Sequence, residues 1–456
     1  MKLVPKDRLI LWAGIVLLPF TALSAFVPSS SGIMIALAVG LMLVAVFDAV
    51  KVADRLKGIR TALPEVVRLS KGREAEFRLF IHNEKMRSGR LRFGLPFPQE
   101  IFSPQPDVFV ELPASVIDSS ILWPCRALKQ GRYILDKCYL EAGSFLGLWA
   151  IRTVLPIRCE FRVFPNLLME RNNLTGLFQN KGLGVHAQRQ VGKGREFEQL
   201  REYMAGDSFE DIHWKATAKR GQPITKVYQI ERIQEIYFFI DSSRLSARSA
   251  ESSNGGRQFN DEAAHELSMT ILERFSIAAL VMGLAAERQG DLFGLAVFDR
   301  TVRNFIRAKN GQAHYDSCRD VLYTLQPQSA SPDFTEVFTF IATHIRRRAL
   351  LVFLTSLDDP VLAENFAQHI DIISWRHLVI VGMVKPVLAN PIFSTPAVAC
   401  LDDIYQNLGG HMLWRNLREI EKILQRNGVG FALLENENLC TGLISRYLSI
   451  KRRQIL

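Results

Sequence analysis

Three groups of carboxylates in the second half of the chain have spacings that suit chemistry. Asp241 closes the apolar run "IYFFID" and is followed by Ser242 and Ser243. Asp299 closes "LFGLAVFD", and Asp358 and Asp359 follow "ALLVFLT" after Thr355 and Ser356. If each run is a strand of one parallel sheet, these residues gather beyond its carboxyl ends, where open α/β sheets bind ligands. Carboxylate and hydroxyl oxygens placed together suit a hard cation such as Mg2+, which takes oxygen ligands and keeps part of its water shell. The same atoms have a plainer use. Asp and Ser after a strand also accept from loop amides or cap the next helix, and Asp299-Arg300-Thr301 reads as a hairpin turn.

Other stretches offer less. "GLGVHAQRQVGKGRE" lacks the spacing of a phosphate loop, and Gly194 stands after Lys193 where Ser or Thr is needed. Six cysteines occur without any C-x-x-C pair, which argues against a zinc site and a disulfide framework. The polar, aromatic stretch from Gly194 to Gly221 holds no nucleophile–base pair: His213 has no cysteine beside it and Ser208 falls in a turn. It reads as a structural signature. Gly206 allows a tight turn, Asp207 caps a helix from Ile212 to Ala218, Trp214 buries its indole against a sheet, and Arg201 pairs with an acid such as Asp207. Lys193, Arg195, Lys215, Lys219, Arg220 and Lys226 are interleaved with acids, which dilutes any phosphate-binding stripe. A basic face of this kind meets anionic lipid more simply, and no specific nucleic acid is expected.

The elements that position these residues follow from periodicity. Residues 60–165 alternate apolar and polar in short runs such as "EAEFRLFIHN" and "GRYILDKCYLEA", punctuated by Pro, Gly and Asn, which predicts an all-β, sandwich-like domain. Residues 166–193 form a Gly- and Asn-rich connector. From Ile236 onward, apolar strands alternate with helices. The expected helices are Asp261–Arg288, Gln312–Leu325, one opened by Ser331 as N-cap with Pro332, then Pro360–Ile370, Tyr405–Arg426 and Leu439–Leu448. That alternation predicts a parallel sheet covered on both faces, an α/β doubly wound fold. "TKVYQIERIQ" is expected as a strand adjoining "IYFFID".

"IDSSRL" followed by "LTSLDD" resembles a von Willebrand factor A domain, whose metal-ion-dependent adhesion site uses an Asp-x-Ser-x-Ser loop, a threonine on a second loop and an aspartate on a third. Asp241 and Ser243 match that loop and Asp358 suits the third. Leu245 stands where the last serine belongs, and "ASPDFTEV" has no threonine at the family's place, Thr335 being only nearby. The resemblance therefore implies a degenerate site with weak Mg2+ binding at most. The signature "FEQLREYMAGDSFEDIHWKATAKRGQPITKVYQIE" resembles the family named "domain of unknown function 58", through Arg201, Tyr203, Gly206, Asp207, Ile212, Trp214 and Ala218. "KQGRYIL" and "SFLGLW" extend the likeness into the β region. Members are usually encoded beside MoxR-type AAA+ ATPases and transglutaminase-like membrane proteins, so the resemblance implies those partners.

The chain has 456 residues with a net charge of +10 and is 48% hydrophobic. Leu9 to Phe47 contains no charged side chain, which is long enough for two spans of roughly 20 residues each. Val27 to Gly32 reads as the turn between them. Basic residues flank both sides and are absent from the turn, so both ends are expected to be cytoplasmic. The expectation is a transmembrane hairpin over residues 1–50, the β domain, the connector, and residues 194–456 as the signature plus a von Willebrand factor A-like domain. The expected location is the bacterial inner membrane with the soluble domains in the cytoplasm. The expected role is a membrane-anchored, non-enzymatic scaffold or adaptor for a protein partner. A metal-dependent hydrolase and a basic-surface binder of nucleic acid or anionic lipid are the alternatives.

Overall fold

The structure is a computed structural model that describes residues 2–26, 31–53, 56–86, 88–113, 116–167, 191–204, 209, 212–229, 234–250, 269–392, 394 and 401–453. It divides into two compact units, 1–166 and 167–456.

The first unit opens with a short strand, β1 (Lys2–Pro5), and two helices, α1 (Asp7–Phe26) and α2 (Ser31–Ala53). Residues 27–30 of the expected turn lie outside the described residues, and Ser31 and Gly32 already belong to α2. Ile10, Leu18, Ile35, Met42, Leu43, Phe47 and Val50 all have more than half of their surface exposed, far more than water tolerates on one patch. Ile35–Val52 is long and apolar enough to cross a bilayer.

The strands of this unit are β2 (Ile59–Ala62), β3 (Val66–Ser70), β4 (Glu74–Asn83), β5 (Gly89–Gly94), β6 (Ile101–Phe102), β7 (Asp107–Leu112), β8 (Asp118–Ala127), β9 (Gly131–Gly143) and β10 (Trp149–Phe164). They make two sheets, one running β1-β10-β9-β5-β7 with β3 on β10, the other β2-β4-β8-β6. Alternation along β4 places Phe77, Leu79 and Ile81 inside, where they pack with Trp123, Phe93 and Phe161. β1 pairs antiparallel with β10, Lys2 opposite Arg152 and Pro5 opposite Trp149. The chain ahead of α1 is thereby fastened to the domain that follows α2. Trp149 Nε1 donates to the carbonyl of Ala45 at 2.9 Å, and Leu146 N donates to Asp48 Oδ1 at 3.2 Å, which ties α2 to the same sheet.

The second unit begins with a two-stranded ribbon, β11 (Val191–Glu202) and β12 (Ile224–Gln229), with a short helix α3 (Trp214–Arg220) between them. The expected pairing of "TKVYQIERIQ" beside "IYFFID" is corrected here: β12 hydrogen-bonds to β11 in a sheet of its own.

The main sheet has six strands: β13 (Glu235–Asp241), β14 (Leu292–Phe298), β15 (Val302–Lys309), β16 (Leu350–Leu354), β17 (Leu378–Val384) and β18 (Gly430–Leu434). Their order is β15-β14-β13-β16-β17-β18. All neighbours are parallel except β14 and β15, which form the hairpin expected at Asp299–Thr301. The apolar runs have no polar alternation because both faces are covered. Ile236, Phe238 and Ile240 face α4 (Ile271–Arg288) and a late C-terminal helix over Leu439–Arg453, whereas Tyr237 and Phe239 face the other layer. That other layer is α6 (Phe334–His344), α7 (Pro360–His369) and α9 (Leu401–Arg426), and α5 (Gln312–Leu322) packs beside α4. α8 (Asp371–Ser374) is a single turn leading into β17, and the C-terminal helix is α10 (Leu439–Arg453). The reversal of strand order beside β13 makes this a doubly wound, von Willebrand factor A-like fold.

Helix ends differ from expectation: Gln312–Leu322 stops short of Leu325, Leu401–Arg426 starts before Tyr405, and Leu439–Arg453 runs past Leu448. α4 starts at Ile271, where Thr270 and Glu273 form a reciprocal cap; residues 251–268 lie outside the described residues. α4 is buried almost all round. α6 is capped by Asp333, whose Oδ1 accepts from Thr335 N and Glu336 N, instead of by Ser331.

Candidate functional site

β13 and β16 are parallel neighbours with Ile240 opposite Leu354, so the residue following each strand comes side by side: Asp241 and Thr355. Thr355 Oγ1 donates to Asp241 Oδ2 at 2.6 Å, and Ser243 N donates to Oδ1 at 2.8 Å. Asp241 is 1% exposed. Burial pushes its carboxyl above the usual range, and the hydrogen bonds from Thr355 and Ser243 pull against that rise. Ser242 closes the adjacent strand end, its hydroxyl and its amide both donating to the carbonyl of Phe298 at 2.9 and 2.8 Å. The Ser243 hydroxyl is fully buried and leans toward the Asp241 carboxylate without a hydrogen bond of proper geometry.

A single 3-10 turn, Arg244–Ala247, then brings Arg248 back across the edge. Its guanidinium grips Asp358 with two N–H groups, the second at 2.9 Å from Oδ1. Asp358, and more weakly the charge of Asp241, hold that guanidinium more firmly protonated. Asp299 is buried too, ion-paired with Arg303 and accepting from Thr301 N at 3.2 Å. Asp359 serves α7 as its N-cap through Val361 N at 3.0 Å.

The expected metal set of Asp241, Ser243 and Asp358 is therefore brought to one edge but does not fit Mg2+. Both oxygens of Asp241 already accept hydrogen bonds, and both oxygens of Asp358 are taken by a resident cation, the Arg248 guanidinium. Leu245 adds a half-buried apolar side chain to the same turn. No cluster of three or more His, Cys, Asp or Glu suited to a metal occurs among the described residues. Sequence reasoning missed Arg248, which lies in a loop and reaches Asp358 only through the turn. Thr355 was visible as a strand-end residue, but its bond to Asp241 depends on strand adjacency.

The signature stretch is a different surface. His213, not Asp207, caps α3: its Nδ1 accepts from Ala216 N at 3.0 Å. Gly206 and Asp207 lie outside the described residues. Ile212 is buried and bridges to Thr225. Trp214 is 69% exposed, which corrects the expectation of a buried indole; it occupies the first turn of a short helix that has no buried residue. Ala218 is exposed as well. Arg201 donates to the carbonyl of Glu202 at 3.4 Å. Tyr203 stacks on Phe209 with centroids 5.8 Å apart, and Phe209 is itself 74% exposed.

Residues 199–389, from the end of β11 to the loop after β17, match the family described as "Protein of unknown function DUF58". That stretch is similar to the DUF58 family. No curated protein matches the chain. Among solved structures, the SpRpn10 VWA domain is 6% identical, covering 47% of this chain and 95% of that one at a TM-score of 0.28. A conserved hypothetical protein BatB from Bacteroides thetaiotaomicron is 15% identical, covering 48% and 99% at 0.27. An aerotolerance-related membrane protein from Bacteroides fragilis NCTC 9343, solved with multiple mutations to serines, is 12% identical, covering 47% and 98% at 0.26. The fold assignment rests on the strand order described above rather than on these scores.

Proposed function

We propose that this DUF58 chain is a membrane-anchored, non-enzymatic adaptor whose A-type domain offers its carboxyl edge to a protein partner. The observation that carries this is how the edge handles charge. The acids there are engaged from within: Asp241 accepts hydrogen bonds from Thr355 and Ser243, Asp299 and Asp358 are ion-paired with Arg303 and Arg248, and Asp359 caps a helix. Among the described residues these carboxylates are thus already committed to partners within the chain. Beside the ion-paired Arg248 and Arg303, the same loops expose Arg244 and Arg300. A rim of that kind suits an acidic protein surface, where guanidinium groups bind carboxylates in fixed geometry. A MoxR-type AAA+ ATPase is the partner implied by the family resemblance, and a transglutaminase-like membrane protein is the second. The anchor is the α1–α2 pair, placed in the bacterial inner membrane with the soluble units in the cytoplasm.

The test is affinity purification of the full chain from cross-linked membranes, with and without Mg2+-ATP. An AAA+ ATPase should co-purify from the wild type and be lost with Arg244→Glu plus Arg300→Glu, two exposed positions whose change leaves the core intact. Partner capture that survives the double charge reversal removes the carboxyl edge from the proposal. A hydrolase activity of the purified chain that disappears with Asp241→Ala overturns the non-enzymatic reading.

A further inference from the structure

The stretch Ser144–Trp149, "SFLGLW", joins β9 to β10 beside the helix pair, and the adaptor role makes no use of it. The loop is closed on itself. Ser144 N donates to the carbonyl of Trp149 at 2.8 Å, Trp149 N donates back to Ser144 Oγ at 3.0 Å, and Gly147 takes a φ of +74° to complete the turn. At its tip Phe145 is 84% exposed and Leu146 45%. A lone exposed Phe or Leu on a protein surface is ordinary. The level at which these two are held is not.

Three hydrogen bonds fix that level. Lys6 N, one residue before α1, donates to the carbonyl of Leu148 at 2.9 Å. On α2, Asp48 Oδ1 accepts from Leu146 N at 3.2 Å, and the carbonyl of Ala45 accepts from Trp149 Nε1 at 2.9 Å. The charge-free run of the helices ends at Phe47, and Asp48 and Lys51 follow. α2 rises about 1.5 Å per residue, so Ala45 and Asp48 lie within about 5 Å of the point where hydrocarbon gives way to headgroups. Val46, Phe47 and Val50, at the same level, are themselves 50–67% exposed. Leu146 and Leu148 line one apolar groove with Trp12, Leu41 and Val44. Cations flank the loop: a Cβ built on Gly143 would come 3.1 Å from Lys6 Nζ, and one on Gly147 3.3 Å from Arg8 Nη1. Apolar side chains bordered by Lys and Arg are the pattern of segments that lie in the interface of an anionic membrane. The Trp149 indole also sits where Trp concentrates in membrane proteins. We propose that the β9–β10 loop is a membrane-docking loop, in which Phe145 and Leu146 enter the headgroup–acyl boundary of the leaflet on the β domain's side, with Lys6 and Arg8 at the headgroups beside them. The β domain is thereby seated on the bilayer through a contact separate from the helices. The inference rests on α2 spanning the bilayer and is independent of the arginine rim.

The experiment uses the full chain, Cys400→Ser, in nanodiscs of phosphatidylcholine with about one-third phosphatidylglycerol. The cysteines at 125, 138, 159, 318 and 440 are buried and do not compete for label. A fluorophore is placed at Phe145→Cys, at Met42→Cys as a marker of the span, and at Lys129→Cys, an exposed position at the opposite end of β9, roughly 40 Å away. Lipid spin-labelled near the headgroup end of its acyl chain should quench the Phe145 label at least threefold more than the Lys129 label. A label at Leu146→Cys should behave alike, and adding Phe145→Glu should at least halve its quenching without lowering the melting temperature. A Phe145 label quenched no more than the Lys129 label, while Met42 is still quenched by lipid, overturns the docking loop and leaves the span standing. Loss of lipid quenching at Met42 removes the span and the docking loop together. A Phe145 label shielded from lipid and from aqueous iodide alike means that protein covers the loop, which also overturns the proposal.

Discussion

At the scale of single residues, the carboxyl edge is a lesson in where a positive charge comes from. Asp358 is largely buried and ion-paired with Arg248, which lies across it. Arg248→Ala leaves that carboxylate without its cation and should cost roughly 1–3 kcal/mol in chemical denaturation. Calorimetry on the full chain should show Mg2+ binding no tighter than millimolar, about −4 kcal/mol. Micromolar affinity in the wild type would mean that the guanidinium does not occupy the cation's place. His377 provides a pH signature. It is buried with neither ring nitrogen hydrogen-bonded, and burial, with Arg376 and Arg348 nearby, pushes it down to about 4. Between pH 6.5 and about 4 the unfolded chain takes up a proton that the folded chain refuses, so stability falls as pH falls through that window. His377→Leu should remove that loss, on the order of 3 kcal/mol at its acid end; parallel pH–stability curves for the two proteins would show that His377 does not cause it.

Elements decide which of the conspicuous residues matter to the fold. Trp214 is the aromatic that a reader of the sequence would bury, yet α3 is too short to cover it. Trp214→Ala should therefore cost under about 1 kcal/mol, well short of the 3–5 of a buried large aromatic. A larger loss would place the indole in a core after all. Gly294, by contrast, is easily overlooked. In the middle of β14 a Cβ at that position would come within 2.5 Å of the Tyr237 ring and 2.9 Å of Ala308 N. Tyr237 has little room to yield, since it stacks on Phe305 and hydrogen-bonds to Glu235. Gly294→Ala should destabilise the chain by about 2 kcal/mol or more through overpacking, measured as a shift in denaturation midpoint. A neutral substitution would mean that the β13–β15 layer is looser than its packing suggests.

At the scale of the whole molecule, β1 constrains how α1 and α2 can cross a membrane. β1 lies in the same sheet as β10, so the residues before α1 and the domain after α2 must be on one side of any membrane that α1 and α2 enter. Two crossings satisfy this and one does not. Reporter fusions at residue 60 and after residue 453 should both read as cytoplasmic, and an active periplasmic phosphatase at either point sinks the topology. Replacing Val4 by Pro, which removes a ladder hydrogen bond from β1, should loosen that fastening and raise proteolysis near residue 6 without changing which side the fusions report.

The sequence by itself determined the periodicities and therefore the architecture. Unbroken apolar runs at β13, β14, β16 and β17 could only be strands covered on both faces, and the charge-free run before Asp48 could only be helices wanting an apolar medium. It also placed Asp241 and Thr355 at strand ends, because a strand's length is written in its own residues. Pairing was not written there. β12 reads as a neighbour of β13 until its partner β11 is seen, and β10, the longest strand of the first unit, hid in "WAIRTVLPIRCEFRVF" because Pro156 and a bulge interrupt its alternation. Arg248 was equally silent. An arginine in a loop has no period, and its reach to Asp358, 110 residues away, exists only once the fold has set the ends of β13 and β16 side by side. Local propensity and burial patterns are properties of short segments; neutralisation of a buried charge is a property of whatever the tertiary structure brings within hydrogen-bonding distance.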